Sequence, residues 1–277
     1  MPTSLMPSPS DLAKRVHQKE RLYFAMAAVF SVLVYAGIVL AAAQLAPARA
    51  TIVTYAAIVV IVSLAMHGFM LGHVRGNGVR VSANQFPRLH AMVVQHARTF
   101  GMDVPEVFVL QAGGLLNAFA TSFLGRHFVV LFSDVLAIAE ERGEAAVSFI
   151  VGHELAHLKR GHLKWRWLLA PSRFVPFLSG AYSRACEYTC DAFGAAASPD
   201  GAVDGLLALA AGPRLYRQVD AGLYAGQVET EDGFWMSLNE IFASHPHLTK
   251  RVGELLRMGS RVPAYSPMRG EGVRAEA

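Results

Sequence analysis

The chain has 277 residues, enough for one large domain or two small ones, and it is unusually apolar: 53% of its residues are hydrophobic and 17% are charged. A soluble domain carries about 25% charged residues, so part of this chain is expected in lipid. The net charge of +4 is scattered, with no Lys/Arg run interleaved with aromatics, which argues against a nucleic-acid partner; two cysteines, Cys186 and Cys190, make no secreted disulfide framework.

In chain order, the Pro- and Ser-rich start up to Ser10 reads as disordered. Residues 22–46 and 51–72 then run without a charge. Each is long enough to cross a bilayer core of ~30 Å at ~1.5 Å per helical residue. The linking "PARA" leaves room only for an antiparallel hairpin. Lys14, Arg15, Lys19 and Arg21 precede the first run and Arg75, Arg80 and Arg88 follow the second, while the turn carries Arg49 alone. The positive-inside bias places both ends of the hairpin in the cytoplasm. A cleaved signal peptide ending near "LAPARA" fits worse, because the apolar run is too long and a second follows at once. His67, inside the second run near its end, and His73, just after it, read as interfacial anchors. The expected organisation is a cytoplasmic segment 1–21, a transmembrane hairpin 22–72, a domain 73–258 and a mobile tail 259–277.

Within the domain, "GVRVSA" suggests a short strand and "QFPRLHAMVVQHARTFGM" an amphipathic helix. "PEVFVLQA" reads as a strand. "LLNAFATSF" and "RHFVVLFS", separated by "LGR", read as a hairpin. "EERGEAAVSFIVGHELAHLKRG" reads as one helix stopped by Gly161. The rest is helical by pattern, broken at "SPDG", "GPR", "TEDG" and "SHPH". The fold class is α+β, mainly helical with a small β-sheet, preceded by the two-helix hairpin.

The chemistry centres on "HELAH". Residues four apart on a helix share a face, so His153 and His157 can hold one Zn²⁺ and Glu154 sits where it can take a proton from water. The helix is otherwise apolar, and buried neutral histidines need a partner. His162 follows Gly161 one residue out of register with a three-histidine site and is expected to point away from the 153/157 face. A better third ligand lies in "SRACEYTCDAFG". Glu187 and Asp191 share a helical face amid apolar residues, so Glu187 can reach the metal while Asp191 accepts an N–H from a ligand histidine and sets its tautomer. Cys186 and Cys190 do not share that face and read as apolar fillers.

"HELAH" followed by "EYTCD", together with "NAFA" at Asn117–Ala120 and "SHPHLTKRV" from Ser244, resembles the HtpX-like and CAAX prenyl endopeptidase family of membrane zinc metallopeptidases. The resemblance covers about residues 80 to 258. It implies a zincin-like metallopeptidase domain with one Zn²⁺ per subunit on His153, His157 and Glu187. It also implies catalysis by Glu154, with His245 as oxyanion donor and Arg251 orienting that segment or helping. A peptide or protein substrate would lie along the edge strand at Asn117 and Ala118, in a membrane-lipid setting of protein quality control at a bacterial inner membrane. The chain departs from the family where HtpX-like members carry two further spans between the second His and the zinc Glu. Here that gap holds only the Pro- and Arg-broken "WRWLLAPSRFVPFLSGAY", expected to rest on the bilayer or wall the cleft. The rival reading is a membrane zinc protein without peptidase activity, acting as a scaffold.

Overall fold

Both uncharged runs are helical in the computed structural model, which describes residues 9–261 apart from 45, 112, 114–116, 143 and 232. Of the start expected to be disordered up to Ser10, residues 1–8 lie outside the described residues while Pro9 and Ser10 open a helix, and the tail expected to be mobile lies outside them from residue 262. A short helix α1 (Pro9–Lys14) leads into α2 (Gln18–Gln44) and α3 (Ala46–Asn77). The "PARA" segment expected as a loop belongs to the first turn of α3. Pro47 is tolerated there because first-turn N–H groups have no intrahelical partner. Arg49 donates from Nε to the Ala42 carbonyl at 3.0 Å and from Nη2 to the Ala43 carbonyl at 3.2 Å. It thereby caps the otherwise unpaired carbonyls at the end of α2 and tightens the turn.

Neither helix is a detached anchor. The first 21 residues are tied in: Leu12 is buried in the main core, and the His17 backbone N–H donates to Thr189 Oγ1 at 3.0 Å. Along α2, Glu20, Ala27 and Ser31 are buried, Phe24 meets Trp165 with centroids 5.8 Å apart, and the Tyr35 hydroxyl donates to the Trp167 carbonyl at 2.7 Å. These residues form one stripe of the helix. On other faces Leu33, Val39, Ile61 and Phe69 are exposed, part of a large apolar surface of the kind that marks a membrane or protein contact. Helix α3 runs through the expected boundary at 72/73 and buries Leu71 and Val74 against Phe108, Phe128 and Val130. His67, expected as an interfacial anchor, instead bonds Thr121 Oγ1 through Nε2 at 2.9 Å and packs on Phe123.

The sheet holds β1 (Val79–Arg80), β2 (Glu106–Leu110), β3 (Ala118–Phe123) and β4 (Arg126–Phe132) in the order β1-β2-β4-β3. β2 and β4 are parallel and the other pairs antiparallel. The predicted hairpin is β3–β4. Its two-residue turn has Leu124 at φ 47° and Gly125 at φ 79°, the doubly positive φ pattern whose twist matches paired strands. β3 is left at the edge of the sheet.

The helical layer comprises α4 (Pro87–Phe100), α5 (Ser133–Arg142), α6 (Ala145–Arg160), α7 (Leu178–Ala197), α8 (Ala202–Leu215), α9 (Ala221–Thr230), α10 (Phe234–Phe242) and α11 (Leu248–Arg257). The single helix expected from residue 140 is two. α5 ends at Arg142 and α6 begins at Ala145, with a glycine, a weak helix former, between them in the sequence, and α5 reaches back to Ser133 because Val135 and Ile138 are fully buried on one face. The breaks expected at "SPDG", "TEDG" and "SHPH" fall between α7 and α8, α9 and α10, and α10 and α11, and "GPR" is a kink at Gly212 inside α8, whereas the break at Tyr216–Asp220 between α8 and α9 was not expected. α6 and α7 approach closely because glycines face each other. A Cβ on Gly152 would lie 3.2 Å from the Gly194 Cα, and one on Gly194 would lie 2.9 Å from the Phe149 carbonyl oxygen. This contact brings the carboxylates of α7 to the histidines of α6.

Candidate metal centre

Helix α6 is buried along nearly its whole length, and His153 and Glu154 are buried with it. One turn separates His153 from His157, and Glu187 projects from α7 between them. His153 Nε2 and His157 Nε2 lie 3.3 Å apart. Glu187 places Oε2 at 3.4 Å from the first and Oε1 at 3.3 Å from the second. A tetrahedral ion with arms of about 2.0–2.1 Å has ligand atoms about 3.3–3.4 Å apart. The two imidazole nitrogens and the two carboxylate oxygens thus stand at separations of the kind such an ion requires of its ligands, and two imidazoles and a carboxylate are a donor set that suits zinc.

The other ring nitrogens set the tautomers. His153 Nδ1 lies 2.9 Å from Asp191 Oδ1. The carboxylate accepts a hydrogen bond from the Nδ1–H, so that Nε2 is the nitrogen whose lone pair faces the centre once His153 is neutral. Asp191 is held in turn by Arg251, which donates from Nε at 2.7 Å and from Nη2 at 2.6 Å. Arg251 Nη1 also lies 3.3 Å from Glu187 Oε2. Burial by itself would raise both carboxyls, but the guanidinium of Arg251 and the neighbouring histidines outweigh it and hold Glu187 and Asp191 below the ordinary carboxylate range. In the metal-free state burial disfavours a charged His153, yet Asp191 and Glu187 prevail and push its pKa up to about 10.

His162 does not point away as expected. Gly161 ends α6 with φ 70°, and the chain folds back so that the His162 N–H donates to the His157 carbonyl at 3.2 Å. The imidazole stands behind His157, with its Nδ1 at 3.0 Å from His157 Nδ1, on the side away from Glu187. Helical spacing failed for His162 because it lies past the turn. Cys186 and Cys190, read from the sequence as fillers, are buried free thiols whose pKa values burial raises; Cys186 also groups with Glu20 and His162, and Cys190 with His157 and His162, at spacings that could hold a metal.

A cavity of about 380 Å³ opens on the cluster. Of the residues singled out from the sequence, Asn117, Ala118, His153, Glu154, His157, Glu187, His245 and Arg251 all line it, and Asp191 sits behind. His245 is exposed with Nε2 at 3.5 Å from Glu187 Oε1. Arg251 is fully engaged by the two carboxylates. Asn117 Oδ1 accepts the Ala118 N–H at 2.8 Å, just ahead of edge strand β3. Leu169, Ser172 and Arg173, from the segment after α6, form the opposite wall. Sequence reading missed Glu20 and Arg160, which meet behind His162. A lone acid at the mouth of an apolar run was the available signal.

The arrangement defines a class: a metal centre built on two helices, with a buried carboxylate between its histidines and a free sheet edge alongside. The profile of Peptidase family M48 matches residues 83–172 and 167–258, most of the chain beyond the apolar helices. The chain belongs to that metallopeptidase family, which implies a metal cofactor. The two matched segments overlap at residues 167–172, between His157 and Glu187. A similar curated protein is the plastoglobule-localized metallopeptidase 48, chloroplastic, of Arabidopsis thaliana, 27% identical over 182 residues, 57% of this chain and 50% of that protein. The chain spans about half the length of this relative.

Proposed function

We propose that the protein is a membrane-anchored zinc metalloendopeptidase, with one Zn²⁺ on His153, His157 and Glu187. The observation that carries this reading is the cluster of His153 Nε2, His157 Nε2 and the two Glu187 carboxylate oxygens, with separations of 3.3–3.4 Å, set beside Glu154 in a cavity bordered by the sheet edge. Zinc bound there supplies Lewis-acid polarisation of a peptide carbonyl and acidifies water. Glu154 takes a proton from the attacking water and passes it to the leaving amine. β3 pairs with an extended substrate segment through its outer edge, which requires Asn117 Oδ1 to release the Ala118 N–H. His245 stands at the open side of the cluster, placed to donate to the oxyanion. Arg251 orients Asp191 and Glu187 instead of touching substrate.

The anchoring reading rests on two helices long and apolar enough to cross a membrane, Gln18–Gln44 and Arg49–Asn77. Basic residues flank both, which favours a cytoplasmic catalytic domain. Membrane or misfolded proteins are the substrate class this setting suggests.

The test is cleavage of a casein-type substrate by the full chain in detergent. Glu154→Gln is expected to abolish cleavage while keeping one zinc per chain. Full activity in that variant would sink the mechanism, and a parent protein that binds zinc but cleaves nothing would favour the scaffold reading.

A further inference from the structure

Glu20 is an oddity: a carboxylate at the start of an apolar helix, 4% exposed and not part of the ligand cluster. Arg160, in the last turn of α6, donates to its Oε1 from Nε at 3.2 Å and from Nη2 at 2.8 Å. The same oxygen lies 3.3 Å from His162 Nε2, within ion-pair range but without hydrogen-bond geometry, and that buried nitrogen has no hydrogen-bond partner among the described residues. His162 Nδ1 then lies 3.0 Å from His157 Nδ1, and His157 Nε2 faces the centre.

The proton positions along this chain are not arbitrary. A neutral imidazole carries one N–H. If His162 held its proton on Nδ1, its Nε2 lone pair would face the Glu20 carboxylate and His157 would be left with its proton on Nε2, aimed at the metal centre. If His162 holds it on Nε2, on the side of the negative Glu20 carboxylate, its Nδ1 accepts from His157 Nδ1–H, and the His157 lone pair is free at Nε2. The carboxylate thus decides which tautomer His157 adopts. Asp191 performs the same task for His153, one turn earlier on α6.

We infer that Glu20 and His162 are positioning residues for the metal, an outer relay through which the first apolar helix sets the tautomer and orientation of His157. This rests on His153, His157 and Glu187 being the ligands. It makes α2 part of the active-site framework as well as an anchor, since its N-terminal turn supplies the carboxylate at the end of the relay.

The experiment measures zinc affinity of the full chain in detergent by competition with a chromophoric chelator, with the visible spectrum of the Co²⁺ form as a second readout. His162→Phe keeps a ring but no acceptor, and is expected to weaken zinc binding by about 10–100-fold and to shift the Co²⁺ bands. His162→Gln, which retains an acceptor and a donor, is expected to recover part of the affinity. Glu20→Gln keeps the shape of the carboxylate and is expected to weaken binding in the same direction; it carries the test if His162→Phe does not fold. Affinity within about twofold of the parent in His162→Phe, or in Glu20→Gln where that variant carries the test, would overturn the relay. So would two zinc ions per parent chain, because the second would then occupy Glu20, His162 and Cys186. A parent that binds no zinc, or a Glu187→Ala variant that binds it undiminished, would instead remove the ligand assignment beneath.

Discussion

Arg251 holds Asp191 by two hydrogen bonds, from Nε at 2.7 Å and from Nη2 at 2.6 Å, with both side chains nearly inaccessible to water. The pair joins α11 to α7 directly behind the histidine that Asp191 orients. A buried pair of this kind is costly to break from one side, because the surviving charge has nowhere to go.

Asp191→Ala is therefore expected to affect stability and metal binding together. Leaving Arg251 without this partner should cost about 3–5 kcal/mol. At about 2–4 °C per kcal/mol for a domain of this size, the melting temperature should fall by roughly 6–20 °C. Zinc affinity should drop by about 10–100-fold as His153 loses its acceptor. A thermal melt unchanged within about 2 °C would refute the buried-pair account.

Metal binding should release a proton. His153, raised to about 10 in the metal-free protein, is protonated at neutral pH and must lose that proton to become a ligand. Calorimetric titration near pH ~7 in buffers of different ionisation enthalpy should show an enthalpy that varies with the buffer. The same shift stabilises the metal-free fold. That contribution is fully present below the unfolded-state value of about 6.5 and is lost as pH rises through the folded value. The metal-free protein should melt progressively lower across that interval, while the zinc form, already deprotonated at His153, should not share the trend. Buffer-independent binding enthalpies would contradict this.

The contact between Gly152 and Gly194 is expected to be intolerant of side chains. Alanine at 194 would put a methyl 2.9 Å from the Phe149 carbonyl oxygen, which is backbone and cannot turn aside. Overpacking of this kind costs about 1–3 kcal/mol, and here it would also move Glu187 away from the histidines. Gly194→Ala should thus lose both stability and zinc affinity, measured by melting and by chelator competition. An equally stable variant with undiminished affinity would show that helix spacing does not set the ligand cluster.

Much of this protein is written locally. Uncharged runs long enough to cross a bilayer, the β3–β4 hairpin, the Gly161 stop and the pairing of His153 with His157 all follow from short-range rules, because hydrophobic periodicity and turn chemistry depend on neighbours in sequence. The same spacing logic put Glu187 and Asp191 on one face of α7. It misjudged His162, since helical register ceases to apply one residue past a left-handed glycine. It also divided the hairpin from the domain at a point where α3 runs on unbroken. Tertiary structure decided the rest: that Glu20 of α2 lies behind His162, that Arg251 clamps Asp191, and that two glycines let α6 and α7 approach closely enough to form the ligand cluster. Those relations join residues far apart in the chain, and only packing, which is cooperative and three-dimensional, can bring them together.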